Sequence, residues 1–565
     1  MKKLLFLFAI LFINLQGFAQ VNRVDIKKLG RDIQQVVRKV YQASVLITPY
    51  DPSKDIALPG AFSGVVIDTA GIILSAAHAV KPDQLYQVNF ADGKKRFARG
   101  LGRIVSNDAA MLKIVDKGTW VYAPMGWSST LQKGTPCISI AYPGTVEAKT
   151  PTIRFGYVAE AESKNGFMRS TCLMEPGDSG GPLFDMKGRV IGLHSRVELS
   201  LDDNFEIPVD TYRKYWNALM DPQSYTSLPT ENTLASPTSN SDLKVMAGIT
   251  QLNDNLSKAL INQLGTACVK IKSPYKGKGI PIHVLGTLIK PDGLSASGNW
   301  KNKSFIVTKS SMISNVVSVE VAANKEVPAQ IIARDVANDL VLLTIDQPLN
   351  EGIKLSSISN DVVQFSDLGK SLVSPVADDK MVFSILGNTQ LNIKKVPSTA
   401  YIGLNTKLSD GKVTVASLMP GGPASKAKIS LGDELLSING KPVHGESDLR
   451  EEIESYISND TVNLAFSRNG VREEKRVAVK MNQSGLEMHI AYRFLDGRSE
   501  RYSGFNNIII HDGRLKPAEC GGPLFDANGK FYGINIARLS RTSSLTIPAE
   551  VIRNFVKGEL SKVAL

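Results

Sequence analysis

Short runs of β-branched and other apolar residues, many of them alternating with polar ones, recur along most of this chain. Gly, Pro, Asn and Asp separate these runs, as in SGVVIDTAGIILSAAHAV, which begins at Ser63. Such runs are typical of strands in β-sandwiches and β-barrels. Helical patterns occur before the first strands, at the end of each half of the chain and in one internal stretch. The pattern therefore predicts a mostly β protein.

The blocks of the first half recur in the same order, at low similarity, in the second half. SNDAAMLKI and EPGDSGGPLFDMKGRVIGLHSRV correspond to ANDLVLLTI and KPAECGGPLFDANGKFYGINIAR. The stretch between the halves, residues 221–242, is rich in Ser, Thr, Pro and Asn and has almost no apolar periodicity, which predicts a linker. The chain is therefore expected to contain two tandem, mostly β units.

The second unit carries an insertion. The interval from Asp108 to Ser179 is 71 residues, whereas the matching interval from Asp339 to Cys520 is 181, so about 110 residues have been added. The added segment contains YIGL, PGGPA and LGDELLSING, followed by the helical pattern SDLREEIESYI. These motifs resemble those of a PDZ domain.

The PDZ resemblance implies peptide binding. Such a groove adds a peptide as an extra strand at a sheet edge and captures its terminal carboxylate with backbone N–H groups. The capturing loop corresponds to Ile402, Gly403 and Leu404, while Leu449 and Ile453 would line the apolar pocket. The alternative is a PDZ domain that only packs against its neighbours, because both of its ends are tethered.

Three residues of the first unit have the types and contexts needed for amide hydrolysis by a hydroxyl group. Ser179 lies in GDSGGPLF, His78 in LSAAHAV and Asp108 in SNDAAMLKI. This chemistry needs a nucleophile, a base that takes its proton, a carboxylate that orients the base, and backbone donors for the oxyanion. The glycines beside Ser179 allow a tight turn that aims backbone N–H groups into the site.

The order His, Asp, Ser, with gaps of 30 and 71 residues, resembles that of trypsin-like proteases, which have the chymotrypsin fold of two β-barrels. With a PDZ domain and an export signal, the chain most resembles the HtrA-type branch. The resemblance implies that Ser179 is the nucleophile, that His78 is the base and then the acid, and that Asp108 orients it. The amides of Gly177 and Ser179 would bind the oxyanion. The alternative is that Ser179 and His78 are ordinary loop and core residues.

The matching residues of the second unit are Ser311, Asp339 and Cys520, so the base is missing. A cysteine thiol, with an ordinary pKa of about 8.5, needs a nearby cation or base to react, and no histidine lies in the 305–315 segment. Ala518 replaces the oxyanion glycine. We expect this unit to be a degenerate, inert protease-like scaffold.

Substrate specificity is open between three alternatives. His194 lies 15 residues after Ser179, on the strand expected to form one wall of the primary specificity pocket. Its context resembles that of chymotrypsin-like endopeptidases that cut after Glu or Gln, where an imidazole binds the substrate's side-chain oxygen. The expected pocket floor, Leu173 and Met174, is apolar, which favours cleavage after small aliphatic residues as in HtrA-type enzymes. The third alternative is a histidine that is merely hydrogen-bonded within its strand.

Length and composition exclude a single small binding module and fibrous or low-complexity proteins. A chain of 565 residues with 43% hydrophobic and 21% charged residues is long and apolar enough for several domains, and its net charge of +12 is a mild excess. We expect its basic cluster to be a solvated hairpin rather than a nucleic-acid site; the cluster comprises Lys94, Lys95, Arg96, Arg99 and Arg103. Metal-ligand spacings and phosphate-binding loops are missing from the sequence, so no metal or cofactor is implied.

The first 19 residues have the layout of a cleaved secretory signal, with two lysines, an apolar run and small residues at Gly17 and Ala19. The apolar run is about 12 residues, too short to cross a bilayer, and no later run approaches the required length. We therefore expect an exported protein, periplasmic or secreted, without a membrane span. Four cysteines are too few for a disulfide scaffold, and pairing of Cys137 with Cys172 is open.

The expected function is that of a serine endopeptidase acting on polypeptides, with C-terminal peptides bound at the PDZ groove. The alternative is a non-catalytic PDZ scaffold built on relic protease folds. Natural substrates, oligomeric state and regulation by the PDZ domain stay open. The expected fold is mostly β, with two tandem chymotrypsin-like double β-barrel units, the second interrupted by the PDZ domain. The expected boundaries are 1–19 for the signal, 20–220 for the protease, 221–243 for the linker, 398–483 for the PDZ domain, and 244–397 with 484–565 for the protease-like unit.

Overall fold

The computed structural model describes most of the 565 residues in fourteen stretches. The predicted signal segment, residues 1–19, lies outside them. The described residues are 24–147, 149–163, 165–234, 243–254, 256, 258–274, 281–293, 300–349, 351–378, 380–396, 400–453, 461–481, 489–494 and 496–563.

The first unit starts with a sheet that closes on itself. Its inward faces are apolar, as the alternating pattern requires, and β6 pairs with both β5 and β7 to close the ring in the order β6-β5-β1-β3-β4-β7. The strands are β1 (Ser44–Asp51), β2 (Ile56–Ala57), β3 (Phe62–Val66), β4 (Ile72–Ala76), β5 (Leu85–Phe90), β6 (Lys95–Ile104) and β7 (Ala109–Ile114).

A second closed barrel completes the first unit, with strand order β10-β13-β12-β11-β8-β9. Two short helices and a two-residue strand, which pairs with β6, follow it. The strands are β8 (Pro136–Ala141), β9 (Thr152–Glu160), β10 (Met168–Ser170), β11 (Pro182–Asp185), β12 (Val190–Val197), β13 (Asn204–Pro208) and β14 (Ser224–Tyr225). The helices that precede and follow are α1 (Ile26–Val40), α2 (Val209–Lys214) and α3 (Trp216–Met220).

The second unit repeats this plan with one change in its first sheet. The strand that corresponds to β6 is divided into two shorter ones, which form the two ends of the path β19-β18-β15-β16-β17-β21-β20. Helix α4 (Lys258–Gly265) precedes this sheet. Its strands are β15 (Cys268–Pro274), β16 (Pro281–Lys290), β17 (Ser304–Lys309), β18 (Ser318–Ala322), β19 (Lys325–Pro328), β20 (Gln330–Asp335), β21 (Leu340–Ile345) and β22 (Ile353–Lys354).

The last barrel of the second unit is built from strands on both sides of the insertion. It begins with β23 (Ser371–Val376) and β24 (Lys380–Ile393). The insertion then forms its own sheet, in the order β26-β27-β28-β30-β31, with a two-stranded pair β25-β32 at its base. Its elements are β25 (Ala400–Tyr401), β26 (Leu404–Ser409), β27 (Lys412–Leu418), α5 (Pro423–Lys426), β28 (Glu434–Ile438), β29 (Lys441–Pro442), α6 (Glu446–Ile453), β30 (Thr461–Arg468), β31 (Val471–Ala478) and β32 (Lys480–Met481).

The chain then returns to complete the barrel. The order β23-β24-β33-β36-β35-β34 matches, strand for strand, the order β8-β9-β10-β13-β12-β11 of the first unit. The remaining elements are β33 (Phe505–His511), β34 (Pro523–Asp526), β35 (Phe531–Arg538), β36 (Ser544–Pro548) and α7 (Ala549–Val563). The expected fold class, mostly β with double barrels and a PDZ domain, is confirmed.

One of the hydrophobic clusters includes residues of both units. Helix α1 places its apolar side chains three and four residues apart, so one face is buried. Leu29, Ile33 and Val37 on that face belong to the same apolar cluster as Leu372 of β23 and Ile385 of β24. Strands β9 and β24 also pack directly against one another, and Asn388 Nδ2 donates to the Pro151 carbonyl at 3.4 Å. The second unit is therefore a packed partner of the first.

Within the described residues, every helix is too short or too polar to cross a membrane.

Candidate active site

Asp108 and His78 are in direct contact at the mouth of the first unit. Both carboxylate oxygens of Asp108 lie 3.0 Å from His78 Nδ1, and Oδ1 also accepts from the His78 backbone N–H at 2.9 Å. Asp108 adopts a left-handed conformation, φ 57°, which Asp tolerates better than most residues. The hydrogen bond to Asp108 raises the pKa of His78, against an opposing effect of burial. The imidazole is thus oriented with Nε2 as its remaining proton acceptor.

Two residues that sequence reasoning overlooked hold this pair in place. Ser195, at the end of β12, donates its hydroxyl to Asp108 Oδ2 at 2.7 Å. Arg103 of β6 donates to the carbonyls of Ala77 and Val80, at 3.3 and 3.2 Å, on either side of His78. The sequence places Arg103 in the basic cluster predicted to be solvated. Its partly buried guanidinium instead supports the loop that carries His78.

Ser179 lies on a tight turn that packs against the strand leading to His78. The Ser63 N–H donates to the Ser179 carbonyl at 2.9 Å, and the Gly180 N–H donates to the His194 carbonyl at 2.8 Å. A Cβ at Gly180 would lie 2.1 Å from Ser75 Oγ, so glycine is required there. The turn therefore brings the half-buried Ser179 to the His78 loop. Within the described residues, Ser179 Oγ makes no hydrogen bond to His78.

The backbone before Ser179 has the shape of an anion site. The Pro176 carbonyl accepts from the Gly144 N–H at 2.8 Å. Because a trans peptide directs its N–H opposite to its C=O, the Gly177 N–H points away from Gly144. Gly177 has φ 100°, and a Cβ there would lie 2.6 Å from the Tyr142 carbonyl oxygen. Within the described part of the chain, neither Gly177 N–H nor Ser179 N–H has an acceptor, so both are available to an oxyanion.

A buried ion pair fixes the residue just before Ser179. Arg154 of β9 donates to both carboxylate oxygens of Asp178, at 2.5 and 2.7 Å, and both side chains are 1% exposed or less. Asp178 Oδ2 also accepts from the Glu175 N–H at 2.9 Å. Such bidentate, charge-assisted pairs are geometrically specific. Arg154 was not singled out from the sequence, because nothing marks which arginine of a strand faces a site.

His194 is fully buried, and both of its ring nitrogens have protein partners. Nδ1 lies 2.8 Å from Glu206 Oε2, and Nε2 lies 2.6 Å from Ser139 Oγ. Ser170 Oγ donates to the other oxygen of Glu206 at 2.7 Å. The predicted floor residues Leu173 and Met174 are also buried, at 4% and 3% exposure.

The second unit keeps the hydrogen-bonded aspartate of this site but has a serine where the first unit has His78. Ser311 takes the place of His78: its N–H donates to Asp339 Oδ1 at 2.7 Å and its hydroxyl to Oδ2 at 2.8 Å. Asp339 has φ 58°, almost the value of Asp108. Lys309 is buried and donates to two backbone carbonyls, and burial lowers its pKa. Burial raises the pKa of the Cys520 thiol, which stays protonated and shielded from solvent.

The polar network around His194 also has a counterpart in the second unit. Asn535 occupies the place of His194, and its Nδ2 donates to Ser374 Oγ at 3.0 Å. Its Oδ1 accepts from Thr546 Oγ1 at 3.0 Å and lies 3.0 Å from His511 Nε2. Burial lowers the pKa of His511 to about 4, so this imidazole is neutral. The second unit, which has no histidine at the position of His78, thus has a similar buried polar cluster.

In the insertion, the residues predicted to form a peptide groove lie around a sheet edge and a helix. Strand β26 is at the edge of its sheet, beside helix α6, and Glu446 of that helix accepts from the Leu408 N–H at 2.9 Å. The carbonyls of Ile402 and Gly403 accept from Ala424 and Met419, each at 2.8 Å, and Gly403 has φ 78°. The other predicted groove residues, Leu404, Leu449 and Ile453, are buried in the same apolar cluster as Ile402.

The thiols of Cys137 and Cys172 are free and buried, with their sulfurs 3.7 Å apart.

Comparison with known proteins matches both parts of the chain. Residues 62–193 match the trypsin-like peptidase domain, and residues 400–479 match the PDZ domain. The chain thus contains a trypsin-like peptidase domain and a PDZ domain, and the expected resemblance to HtrA-type proteases is confirmed by its relatives.

Three relatives show the extent of this similarity. HhoA of Synechocystis, named a candidate serine protease, is 30% identical over 177 residues, which cover 30% of this chain and 45% of HhoA. Serine protease HTRA1 of Xenopus laevis is 27% identical over 195 residues, which cover 32% and 42%. A DegP-like protein of Bartonella henselae, named a probable periplasmic serine endoprotease, is 29% identical over 167 residues, which cover 28% and 33%. The chain therefore spans less than half the length of each relative.

The ion pair behind Ser179 yields a first prediction. Arg154→Met leaves the Asp178 carboxylate buried without its partner, which should destabilise the protein by about 3–5 kcal/mol. The double variant Arg154→Met, Asp178→Asn removes the stranded charge and should recover most of this loss. Thermal unfolding of the three proteins measures the difference.

The control is Arg169→Met, which breaks a more exposed ion pair, Arg169 Nη1 to Asp203 Oδ1 at 3.2 Å. It should cost about 1 kcal/mol or less. Equal melting temperatures for Arg154→Met and Arg169→Met would contradict a structural role for the buried pair.

Proposed function

We propose that this chain is an exported serine endopeptidase that hydrolyses polypeptides. The observation that carries the proposal is the contact of both Asp108 oxygens with His78 Nδ1, beside the turn that presents Ser179. The proposal is further supported by relatives named as serine proteases and by the match to the trypsin-like peptidase domain. The expected signal at residues 1–19 and a relative named as periplasmic support export.

The proposed reaction proceeds through an acyl-enzyme. Ser179 Oγ attacks the scissile carbonyl carbon while His78 Nε2 takes its proton, and Asp108 stabilises the imidazolium. The negative charge on the carbonyl oxygen is received by the Gly177 and Ser179 N–H groups. His78 then protonates the leaving amine as the C–N bond breaks. Water, deprotonated by His78, hydrolyses the ester and restores the Ser179 hydroxyl.

A polypeptide substrate fits the exposed edge of β12. This strand pairs with β11 up to Leu193, whereas Arg196 and Val197 pair with β13 alone. An extended peptide can add to the unpaired side by backbone hydrogen bonds. Such pairing would hold a substrate next to Ser195, whose hydroxyl contacts Asp108, and hence next to the reacting groups.

Substitution of the proposed catalytic residues is the decisive test of the proposed function. Ser179→Ala and His78→Ala should each lower peptidase turnover by at least about 10³-fold, because each removes a group that acts in the transition state. A fluorophosphonate probe should label the wild-type protein at Ser179. Digestion of an unfolded protein, with sequencing of the new termini, measures the activity.

The matched control is Cys520→Ser, which alters the equivalent position of the second unit and should leave turnover within about twofold. The rate should fall as the pH is lowered through the raised pKa of His78, because a protonated imidazole cannot accept the Ser179 proton. A wild-type protein that is neither labelled nor active on unfolded substrates would favour the scaffold alternative.

For specificity, we propose cleavage after small aliphatic residues. Leu173 and Met174 are apolar, and both nitrogens of His194 already bind Ser139 and Glu206. A substrate carboxylate would have to displace one of these buried partners and leave it without a hydrogen bond, which is costly. The similar cluster around Asn535 in the second unit also supports a structural role for His194.

This proposal is tested with His194→Asn, which introduces the residue that the second unit carries. Sequencing of cleavage sites should show Val, Ala or Leu before the cut bond in both wild type and variant. A wild-type preference for Glu or Gln that His194→Asn abolishes would instead assign side-chain recognition to His194.

We also propose that the PDZ groove binds the free C-terminus of peptides. The edge position of β26 and the left-handed turn at Gly403 support an added strand whose carboxylate faces backbone N–H groups. Peptides with a free apolar C-terminus should bind at least about tenfold more tightly than the same peptides with an amidated end, because a charge-assisted hydrogen bond is lost. Isothermal titration calorimetry compares the two. Equal affinities would rule out carboxylate capture.

A further inference from the structure

The hairpin loop of residues 539–543, between β35 and β36, is buried although it is polar. Ser540, Arg541, Thr542 and Ser543 are each at most 1% exposed. Polar hairpin loops normally lie in solvent, because their backbone groups need hydrogen-bond partners. The backbone of this loop is hydrogen-bonded within the second unit, whereas the side chains of Arg541 and Thr542 bind the first unit, beside the proposed active site.

Arg541 binds the loop that joins β12 to β13. Its guanidinium donates to the carbonyls of Glu198 at 2.9 Å and Ser200 at 3.0 Å, and to Asn204 Oδ1 at 3.3 Å. Asn204 Oδ1 also accepts from the Met174 N–H at 3.3 Å. A buried guanidinium is tolerated only when it is well bonded, so these contacts hold the loop firmly. Arg541 is thereby linked to both the C-terminal end of β12 and the expected pocket floor.

Thr542 binds the segment that precedes the oxyanion turn. Its hydroxyl donates to Glu175 Oε2 at 2.8 Å, while Glu175 Oε1 accepts from the Thr145 N–H at 3.1 Å. Glu175 is 4% exposed and lies two residues before Gly177. A buried carboxylate depends on every donor it has. Without Thr542, one oxygen of Glu175 would lack the donor that the second unit supplies.

The second unit also fixes the loop from its own side. Arg538 Nη2 donates to the Arg541 carbonyl, and Arg538 Nη1 donates to the Gly513 carbonyl at 2.7 Å. The β35–β36 loop is the counterpart of the β12–β13 loop in the repeated fold, so the two units meet through equivalent loops. Equivalent elements facing each other are the geometry of a twofold dimer interface, here within one chain.

We propose that the second unit is a built-in positioning element for the active site of the first, and that Arg541 and Thr542 are its positioning residues. This inference rests on the proposed peptidase function. Arg541 fixes the loop that borders the substrate edge, and Thr542 fixes the segment that shapes the oxyanion turn. The unit that lost its own base thus contributes to catalysis through contacts.

The two residues should affect different kinetic constants. Thr542→Val keeps the side chain's shape but removes the donor to Glu175, and should lower kcat by about tenfold with little change in KM, because oxyanion binding acts in the transition state. Thr542→Ser keeps the hydroxyl and should retain kcat within about twofold. Arg541→Met frees the substrate-side loop and should raise KM by about tenfold or more.

Arg501→Met is the matched control. Arg501 also donates to two loop carbonyls, those of Val336 and Ala337, but both lie within the second unit. This variant should leave both constants within about twofold of wild type. Unchanged kcat in Thr542→Val together with unchanged KM in Arg541→Met would overturn the inference. If Arg541→Met does not fold, the Thr542→Val and Thr542→Ser pair decides it.

A second readout does not depend on turnover. Amide hydrogen exchange of residues 198–204 should be faster in Arg541→Met than in wild type or Arg501→Met, because their carbonyls lose the guanidinium. A wild-type protein without peptidase activity would refute the proposed function while leaving this measurement meaningful. Equal exchange in all three proteins would refute the positioning role while leaving the peptidase proposal intact.

Discussion

The arrangement around Ser179 depends on one buried ion pair, Arg154 with Asp178. The carboxylate orders the turn through the Glu175 N–H, and the Asp178 carbonyl accepts from the Gly181 N–H, so the backbone on both sides of Ser179 is held. Arg154 of β9 contacts the turn with its side chain, while the backbone N–H of its neighbour Phe155 donates to Asp512 of the second unit at 2.8 Å. A single strand thus joins the Ser179 turn to the interface between the units.

Comparison of the two units distinguishes the residues that the fold requires from those that the proposed chemistry requires. Both retain an aspartate in a left-handed conformation that accepts from the residue at the base position, and both retain a turn glycine, Gly180 or Gly521, packed on a strand hydroxyl. These features give buried polar groups their hydrogen-bond partners or allow close packing, and so stabilise the fold of either unit. Ser311, in the place of His78, keeps the hydrogen bonds to the aspartate but has no imidazole nitrogen to accept a proton. The fold of the second unit therefore does not require a histidine at this position.

Much of the fold and the candidate triad could be predicted from the sequence, because strand alternation and turn residues are local signals. The interval of 181 residues located the PDZ insertion, and the motifs around His78 and Ser179 predicted the candidate site. The sequence could not predict the features that depend on contacts between residues far apart in the chain. The roles of Arg154, Ser195 and Arg541 are set by strand pairing and by packing between units, which no local pattern records. The surroundings of His194 were likewise open, since a strand position does not reveal whether a ring nitrogen has a partner.

The short pair β25–β32 at the base of the insertion affects how the chain can fold. Ala400 pairs with Met481 and Tyr401 with Lys480, so the two ends of the PDZ domain are held side by side where the chain leaves β24 and returns toward β33. Strands β24 and β33 are neighbours in the last barrel, and an unfolded connection of this length would impose an entropic cost on their pairing. A PDZ domain that folds first replaces that long connection with two shorter ones. The insertion then behaves in the folding reaction as a compact hairpin loop, and closure of the last barrel becomes a more local event.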